Sequence, residues 1–347
     1  MGLPAKYGGF ETFVHFLVYH LAEDFNFTIY CSGPDYSERP TSIMGARLVY
    51  LPFRANGPQS LLFDWVGTIH ACFTSDVILI LGSSGGMFFP FAKLLGRKVI
   101  LNQGGLDWQR SKWGNWTQKF LKFLERSSVI KTDVLIADNQ GIRDYFFTTY
   151  GRESYLIEYG GDQITRPALT NAFLNLYPIA RTPYAFAVAR IQRDNNIEMI
   201  LEGFLKTPEH SLIFVGNWNT STYGQQVKEK FGHVPNLHLL EAIYDSEILN
   251  QFRAYCAIYI HGHSAGGTNP SLVEAMHLGL PIASFDVTYN RATTENKCLY
   301  FSTADELSNL LRLTPVQIWE NQRFVMHEIA QRRYCWDLIA EKYSQLF

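Results

Sequence analysis

The chain has 347 residues, enough for about two domains. Its 30 Lys and Arg against 32 Asp and Glu leave a formal charge of −2, without the basic excess of a dedicated nucleic-acid binder. With 47% apolar, 15% aromatic and only 18% charged residues, a disordered chain is excluded as well.

Short apolar runs alternate with amphipathic stretches from end to end. The first amphipathic stretch places Phe10, Phe13, Val14, Leu17, Val18 and Leu21 at i, i+3, i+4, i+7, i+8 and i+11, the stripe of a core-facing helix. β-rich runs follow at 27–31, 47–51, 76–81, 98–102 and 133–137, and a second series at 184–189, 211–216, 236–240, 256–260 and 281–285. Strand–helix alternation of this kind predicts parallel sheets covered on both faces. Two series predict an α/β chain of two doubly wound, Rossmann-like domains, over 1–165 and 166–335. The closing helix, 336–347, is able to pack on the first.

A doubly wound domain ordinarily opens with a central strand that feeds its first Gly-rich turn. Here Met1 stands at that turn, with Gly8-Gly9 just ahead of the Phe10 helix. The first domain is therefore expected to lack its first strand, with a segment upstream of Met1 or another part of the chain taking that place. No stretch reaches the ~18 apolar residues of a membrane span, and no charged-then-apolar leader precedes the first helix. Five cysteines at scattered positions, with no Cys-x-x-Cys spacing, suggest a reducing compartment.

The strongest local signal is 261–281, HGHSAGGTNPSLVEAMHLGLP. Asn269 suits an N-cap and Pro270 the first helical position. Gly266 and Gly267 permit close backbone approach, so the amides of Gly267, Thr268 and Asn269 and the helix dipole suit a phosphate. Glu274, one turn into the helix, suits a sugar hydroxyl; a plain Gly-rich turn with a surface Glu is the competing reading. Gly8 and Gly9 offer a second anion-binding turn, although alone they read as an ordinary strand-to-helix connection. Arg190 closes the first strand of the second series, where ligands sit in open α/β sheets, and Arg193 is near it. His261 and His263 precede the Gly-Gly turn without a third ligand at metal spacing. No Walker loop, dinucleotide fingerprint or Asp-x-Asp clamp is present, so neither metal nor cofactor is expected.

Residues 97–131 hold eight Lys and Arg against Asp107 and Glu125, a local +6, with aromatic residues interleaved. Lys112, Trp113, Trp116, Lys119 and Lys122 form a basic-aromatic patch suited to an anionic membrane surface, two of the tryptophans standing in a Gly/Asn-containing loop. The alternatives are a helix with its aromatics in the core and its lysines in water, and, more weakly, RNA binding.

In order along the chain, GLPAKYGGFET (2–12), NQGGLDWQRSKW (102–113), IADNQGI (136–142), YGGD (159–162), RIQRDNNIEMILEGF (190–204) and the 261–276 loop together resemble bacterial sugar transferases of the retaining GT-B class, family four, in the capsule-type rhamnosyltransferase subgroup. The resemblance implies two Rossmann-like domains facing a cleft, with a nucleotide-diphosphate sugar held mainly by the second. It puts Arg190 near the diphosphate, Gly8 and Gly9 against it from the first domain, and Glu274, the second Glu of a Glu-x7-Glu signature, on the ribose. The first Glu of that signature falls at Gly266, the usual Lys partner of the Arg falls at Asn195, and Gly105 stands at a commonly acidic position. Arg193 is then the substitute cation, and Asp107 and His263 remain the candidate catalytic residues.

The implied reaction moves a hexosyl group, rhamnose from a dTDP donor first and galactose or glucose from UDP next. The acceptor is a lipid-diphosphate-linked saccharide at the cytoplasmic membrane face. Domain closure excludes water, and no nucleic acid takes part. The competing readings are a sugar-nucleotide epimerase of the same fold and a degenerate, non-catalytic nucleotide-sugar or membrane binder.

Overall fold

The computed structural model describes residues 1–5, 8–109 and 114–347, the side chains of Pro58 and Asp107 aside. The chain divides into two compact units, Met1–Gly160 with Cys335–Phe347, and Gly161–Tyr334. The division falls a few residues before the position read from the sequence. Close packing marks it: a Cβ on Gly160 would sit 2.3 Å from the Trp336 ring, and one on Gly161 would sit 2.9 Å from Val273.

Unit 1 runs α1 (Gly9–Leu21), β1 (Thr28–Ser32), β2 (Ser42–Ile43), β3 (Ala46–Leu51), α2 (Ser60–Thr74), β4 (Val77–Leu81), α3 (Phe89–Leu94), β5 (Lys98–Asn102), α4 (Asn115–Lys131), β6 (Val134–Ala137), α5 (Gln140–Tyr150) and β7 (Tyr155–Leu156). Its strands form two separate sheets, β1-β3-β2 and β4-β5-β6-β7, parallel except for the β2–β3 pair. The α1 stripe is buried at Phe13, Leu17, Val18 and Leu21, as its 3.6-residue period requires.

Unit 2 continues with α6 (Asn171–Leu176), β8 (Tyr184–Val188), α7 (Ile197–Leu205), β9 (Ser211–Val215), α8 (Thr222–Phe231), β10 (Leu237–Leu240), α9 (Ser246–Ala254), β11 (Ile258–His261), α10 (Pro270–His277), β12 (Ile282–Phe285), α11 (Thr288–Thr293), β13 (Leu299–Phe301), α12 (Ala304–Leu313) and α13 (Val316–Arg333). The last helix, α14 (Trp336–Ser344), belongs to unit 1. There Trp336 stacks on Phe16 at 4.9 Å and Tyr343 packs on Phe13 at 5.1 Å. The Tyr343 hydroxyl accepts a hydrogen bond from the Asn102 amide at the end of β5.

The unit 2 sheet is fully parallel, in the order β10-β9-β8-β11-β12-β13. Strand alternation divides β8 between two cores. Tyr184 and Phe186 pack on Phe252 of α9, while Ala185 and Ala187 join Leu201, Phe204 and the fully buried Trp218 on the other face. The order reverses direction between β8 and β11. That is the switch point of a doubly wound sheet, and loops leaving the strand C-termini there bracket a crevice.

Candidate functional site

The two loops at this switch point are tied together. The amide and hydroxyl of Ser264, three residues past β11, both donate to the Asp194 carbonyl, at 2.9 and 2.7 Å. Asn196 returns a bond from its amide to the Gly262 carbonyl at 2.9 Å. Gly262 has no room for a side chain, since a Cβ there would lie 2.3 Å from the Asn195 carbonyl oxygen. The Asn195 amide donates to the Arg190 carbonyl at 2.6 Å and so shapes the turn that presents Arg190. The loop after β8 and the loop after β11 therefore form one built edge.

Arg190 lies two residues beyond β8, exposed, and its guanidinium enters no ion pair among the described residues. Arg193 is placed differently. Its guanidinium lies 4.5 Å over the Tyr223 ring and 3.9 Å from Glu198, so its charge already has neighbours on α8 and α7.

On the other loop, Gly266 adopts φ +124° with open space around its would-be Cβ, a backbone conformation that excludes most side chains. The chain then enters α10 as its spacing predicts. Asn269 caps the helix, its side-chain oxygen accepting from the Ser271 amide at 3.1 Å and hydroxyl at 2.8 Å, and Pro270 takes the first position. Gly267 is half-buried and Thr268 buried beside this cap. The positive end of the α10 dipole faces this turn.

Glu274 is held from two sides. Its Oε2 pairs with the buried Arg253 of α9 at 3.0 Å, and its Oε1 accepts from the Gln163 amide at 2.9 Å. An ionised carboxylate offers about four acceptor positions, so both partners leave capacity for a ligand hydroxyl. Neither Arg253 nor Gln163 is visible as a site residue in the sequence.

His261, at the end of β11, is buried between Tyr259 and His263, with the two imidazoles stacked at 4.6 Å and 14°. Neither ring nitrogen of His261 has a hydrogen-bond partner among the described residues. Burial, with the neighbouring His263 second, pushes its pKa well below the ordinary 6.5, so it is neutral. His263 lies half-buried above it, and its carbonyl accepts from Asn290.

The remaining predicted residues belong to unit 1. Gly8 caps α1 at φ +129° and Gly9 opens the helix, its carbonyl accepting from the Tyr159 hydroxyl. Asp107 opens a short 3-10 turn, Asp107–Gln109, and its side chain lies outside the described residues, as do Lys112 and Trp113. Trp116 does not stand in a loop. Gly114 is extended and α4 begins at Asn115, so Trp116 is helical and 86% exposed. Phe120 and Phe123 are also exposed, while Leu124, Glu125, Ser128 and Val129 form the buried face. The aromatics of α4 therefore face away from the core. Lys119 lies 5.5 Å over the Trp116 ring, and Lys122 lies 4.3 Å over that of Trp108. Among the described residues no three His, Cys, Asp or Glu side chains gather in a metal-binding group, and no helix is long and apolar enough to cross a membrane.

Residues 1–162 match a family profile described as a domain of unknown function, DUF1972. No curated protein matches the sequence. Among solved structures the chain is similar to the sucrose-phosphate synthase of Thermosynechococcus elongatus, with a TM-score of 0.82 at 17% identity over 98% of this chain and 92% of that one. HepE of Anabaena in complex with UDP-glucose gives 0.69 at 14% identity over 87% and 86%, and the trehalose-6-phosphate synthase OtsA gives 0.69 at 11% over 98% and 94%. The fold is GT-B. At these identities the likeness establishes the architecture, α/β with parallel sheets, shared with glycosyltransferases.

Proposed function

We propose that this protein is a glycosyltransferase that moves a hexosyl group from a nucleotide-diphosphate sugar to a hydroxyl of a lipid-diphosphate-linked saccharide. The observation that carries the reading is the built edge at the β8–β11 switch point. A free arginine, a Gly-rich turn and a helix N-terminus meet there, with a carboxylate one turn further on. A nucleotide diphosphate needs those elements: cation and amides for the phosphates, carboxylate for the ribose hydroxyls. HepE, a neighbour of the same fold, forms a complex with UDP-glucose, and that supports a donor of this class.

In the proposed reaction the bond from the anomeric carbon to the donor phosphate breaks. A bond to the acceptor oxygen forms on the same face, and the departing phosphate oxygen takes the acceptor proton. The nucleoside diphosphate leaves with its charge stabilised by Arg190 and the α10 turn, a preorganised arrangement that requires no protein nucleophile. The exposed face of α4, with its lysines over tryptophan rings, supports attachment to an anionic membrane at which the lipid-linked acceptor is presented. Rhamnose from dTDP-rhamnose is the first donor to test, ahead of UDP-galactose and UDP-glucose.

A non-catalytic binder of nucleotide-sugar is the second reading, favoured by the engagement of Arg193 with Tyr223 and Glu198. Incubation with membranes and each labelled donor separates the two. The transferase yields labelled, lipid-extractable product and one nucleoside diphosphate per sugar transferred. Nucleotide binding without transfer from any of the donors leaves only the binder.

A further inference from the structure

Three successive helices of unit 1 leave apolar side chains in the open together. The outer stripe of α2 is Leu62, Val66, Ile69 and Phe73, at i, i+4, i+7 and i+11, and all four are exposed. Its inner stripe, Phe63, Gly67, Ala71 and Cys72, is buried. A helix apolar on both sides has to bury both, and unit 1 covers only the inner one. α3 packs beside α2, and α4 beside α3. On α3 and just past it Phe91, Leu94 and Leu95 are exposed, Leu94 at 83%. The Phe91 ring meets that of Phe73, itself 63% exposed, at 5.9 Å and so joins the two helices. Trp116, Phe120 and Phe123 of α4 extend the set. Apolar residues scattered singly are ordinary on a protein surface, but a run of them across packed helices marks an interaction site.

The exposed charges on these helices have one sign. α2, α3 and α4 carry five Lys and Arg, namely Lys93, Lys119, Lys122, Arg126 and Lys131, all exposed. Their acidic residues are Asp64 and Glu125, and neither is exposed. Lys93 pairs with Asp133 at 2.8 Å, and the other four cations lie along α4. The surface is therefore divided, apolar on α2 and α3 and cationic on α4. A second copy of this chain seated face to face on it would set like charges against like. An anionic bilayer answers both parts, with headgroups for the cations of α4 and acyl chains for α2 and α3. A helix of 15 residues such as α2 is too short to span a bilayer and lies along its surface.

We propose that the α2–α3 face enters the acyl boundary of an anionic bilayer, to a depth of about 5–10 Å, while α4 stays among the headgroups. This rests on the membrane attachment read from α4 and changes its character. Attachment by charge alone is undone by salt, because the screening length falls to about 3 Å at 1 M, whereas burial of apolar surface is not weakened in that way. Phe73 and Leu94, the most exposed apolar side chains of α2 and α3, are the principal anchors. Contact along α3 as well as α4 also fixes the orientation of unit 1, since a single helix lying on a bilayer leaves rotation about its own axis free.

The test is sedimentation of the full chain with vesicles of phosphatidylserine and phosphatidylcholine at 0.1 and 1 M NaCl. The parent protein is expected to stay bound at both salts. Phe73→Ser combined with Leu94→Ser is expected to weaken binding by about tenfold or more and to leave only a remnant at 0.1 M that 1 M salt abolishes. Both positions are exposed, so the urea midpoint should match the parent's and show that the fold is intact. Lys119→Glu with Lys122→Glu should do the reverse, weakening binding at 0.1 M and leaving binding at 1 M near the parent's. Release of the parent by 1 M salt overturns insertion and leaves the electrostatic attachment of α4 standing. Parent-like binding of the Phe73 and Leu94 double variant at both salts removes the α2–α3 face from the contact. Absence of binding by the parent at either salt overturns the α4 attachment and this proposal together. If that parent also sediments as a dimer that the double serine variant dissolves, the face is a contact between copies of this chain instead.

Discussion

Glu274 offers the sharpest test of the nucleotide site, because its structural and its proposed binding roles make separable predictions. Arg253 is 5% exposed and Glu274 19%, and the two lie 3.0 Å apart. Removing one partner of so enclosed a pair leaves the other charge without compensation, which costs about 3–5 kcal/mol. Glu274→Gln and Arg253→Met should each lower the urea-unfolding free energy of unit 2 by roughly that amount. The double variant should lose clearly less than the sum, because no orphaned charge remains. Nucleotide binding should divide differently. Loss of charge-assisted bonds to the ribose hydroxyls is worth about 1.5–3 kcal/mol, or about 10- to 150-fold in Kd for UDP or dTDP by calorimetry. The double variant should recover stability and stay weak in binding, since its carboxylate is still missing. A folded Glu274→Gln protein that binds both nucleotides within twofold of the parent would remove Glu274 from the site and leave it as a structural partner of Arg253.

Gly262→Ala should cost about 1–3 kcal/mol in thermal unfolding and weaken UDP binding, because the added Cβ meets the Asn195 carbonyl oxygen at 2.3 Å and separates the tied loops; parent-like stability would mean that the loops are not so tied. One buried and one half-buried group give opposite pH responses. His261, with its pKa lowered by burial, takes up a proton less readily folded than unfolded, so stability should fall as pH drops below about 6.5, by up to about 1.4 kcal/mol per unit. His261→Gln should flatten that slope in urea titrations between pH 7.5 and 5.5, and an unchanged slope rejects the assignment. Asp64 is raised from 3.8 to about 6, chiefly by burial, so the folded state favours its proton and stability is lost as pH rises through 4 to 6. Asp64→Asn should therefore stabilise at pH 7.5, by at most about 3 kcal/mol, and do little at pH 4; equal effects at both pH values would contradict it. Lys119→Glu with Lys122→Glu should weaken binding to phosphatidylserine vesicles at least tenfold, at about 1 kcal/mol per basic group lost. Trp116→Ser should weaken it as well, and unaltered sedimentation with vesicles excludes the α4 face.

The parallel strands were the most legible part of the fold. They read as uninterrupted apolar runs, and 76–81, 98–102, 184–189 and 211–216 all overlap observed strands nearly end to end. The strands missing from that reading are β2, β7 and β13, of two, two and three residues, too short to carry a period. Within the site, Asn269 and Pro270 were legible because capping is local chemistry. The partners of Glu274 were not: Arg253 and Gln163 come from distant segments, and only the folded chain shows that α9 turns its arginine inward. Trp116 was misplaced for a local reason, since Gly114 and Asn115 suggest a loop while one extended residue suffices to start the helix.

The wiring of the switch point also bears on how a diphosphate would be neutralised. About two to three negative charges arrive with it, and among the candidate residues the described cations are unequal. Arg253 lies behind Glu274, Arg193 lies between Tyr223 and Glu198, and only Arg190 is without an ion-pair partner. The Asn195 side chain, at the position where the resemblance implies a lysine, donates to the Arg190 carbonyl and so shapes the loop. One arginine and a helix dipole worth about half a charge do not balance a diphosphate. The shortfall falls on backbone amides of the 266–269 turn, whose value depends on their direction. On this reading the bonds that hold the turn in place, Ser264 to Asp194 and Asn196 to Gly262, bear on leaving-group stabilisation as directly as the charge of Arg190. The loops then have to be rigid before the donor arrives, because amides that reorient on binding lose the advantage of preorganisation.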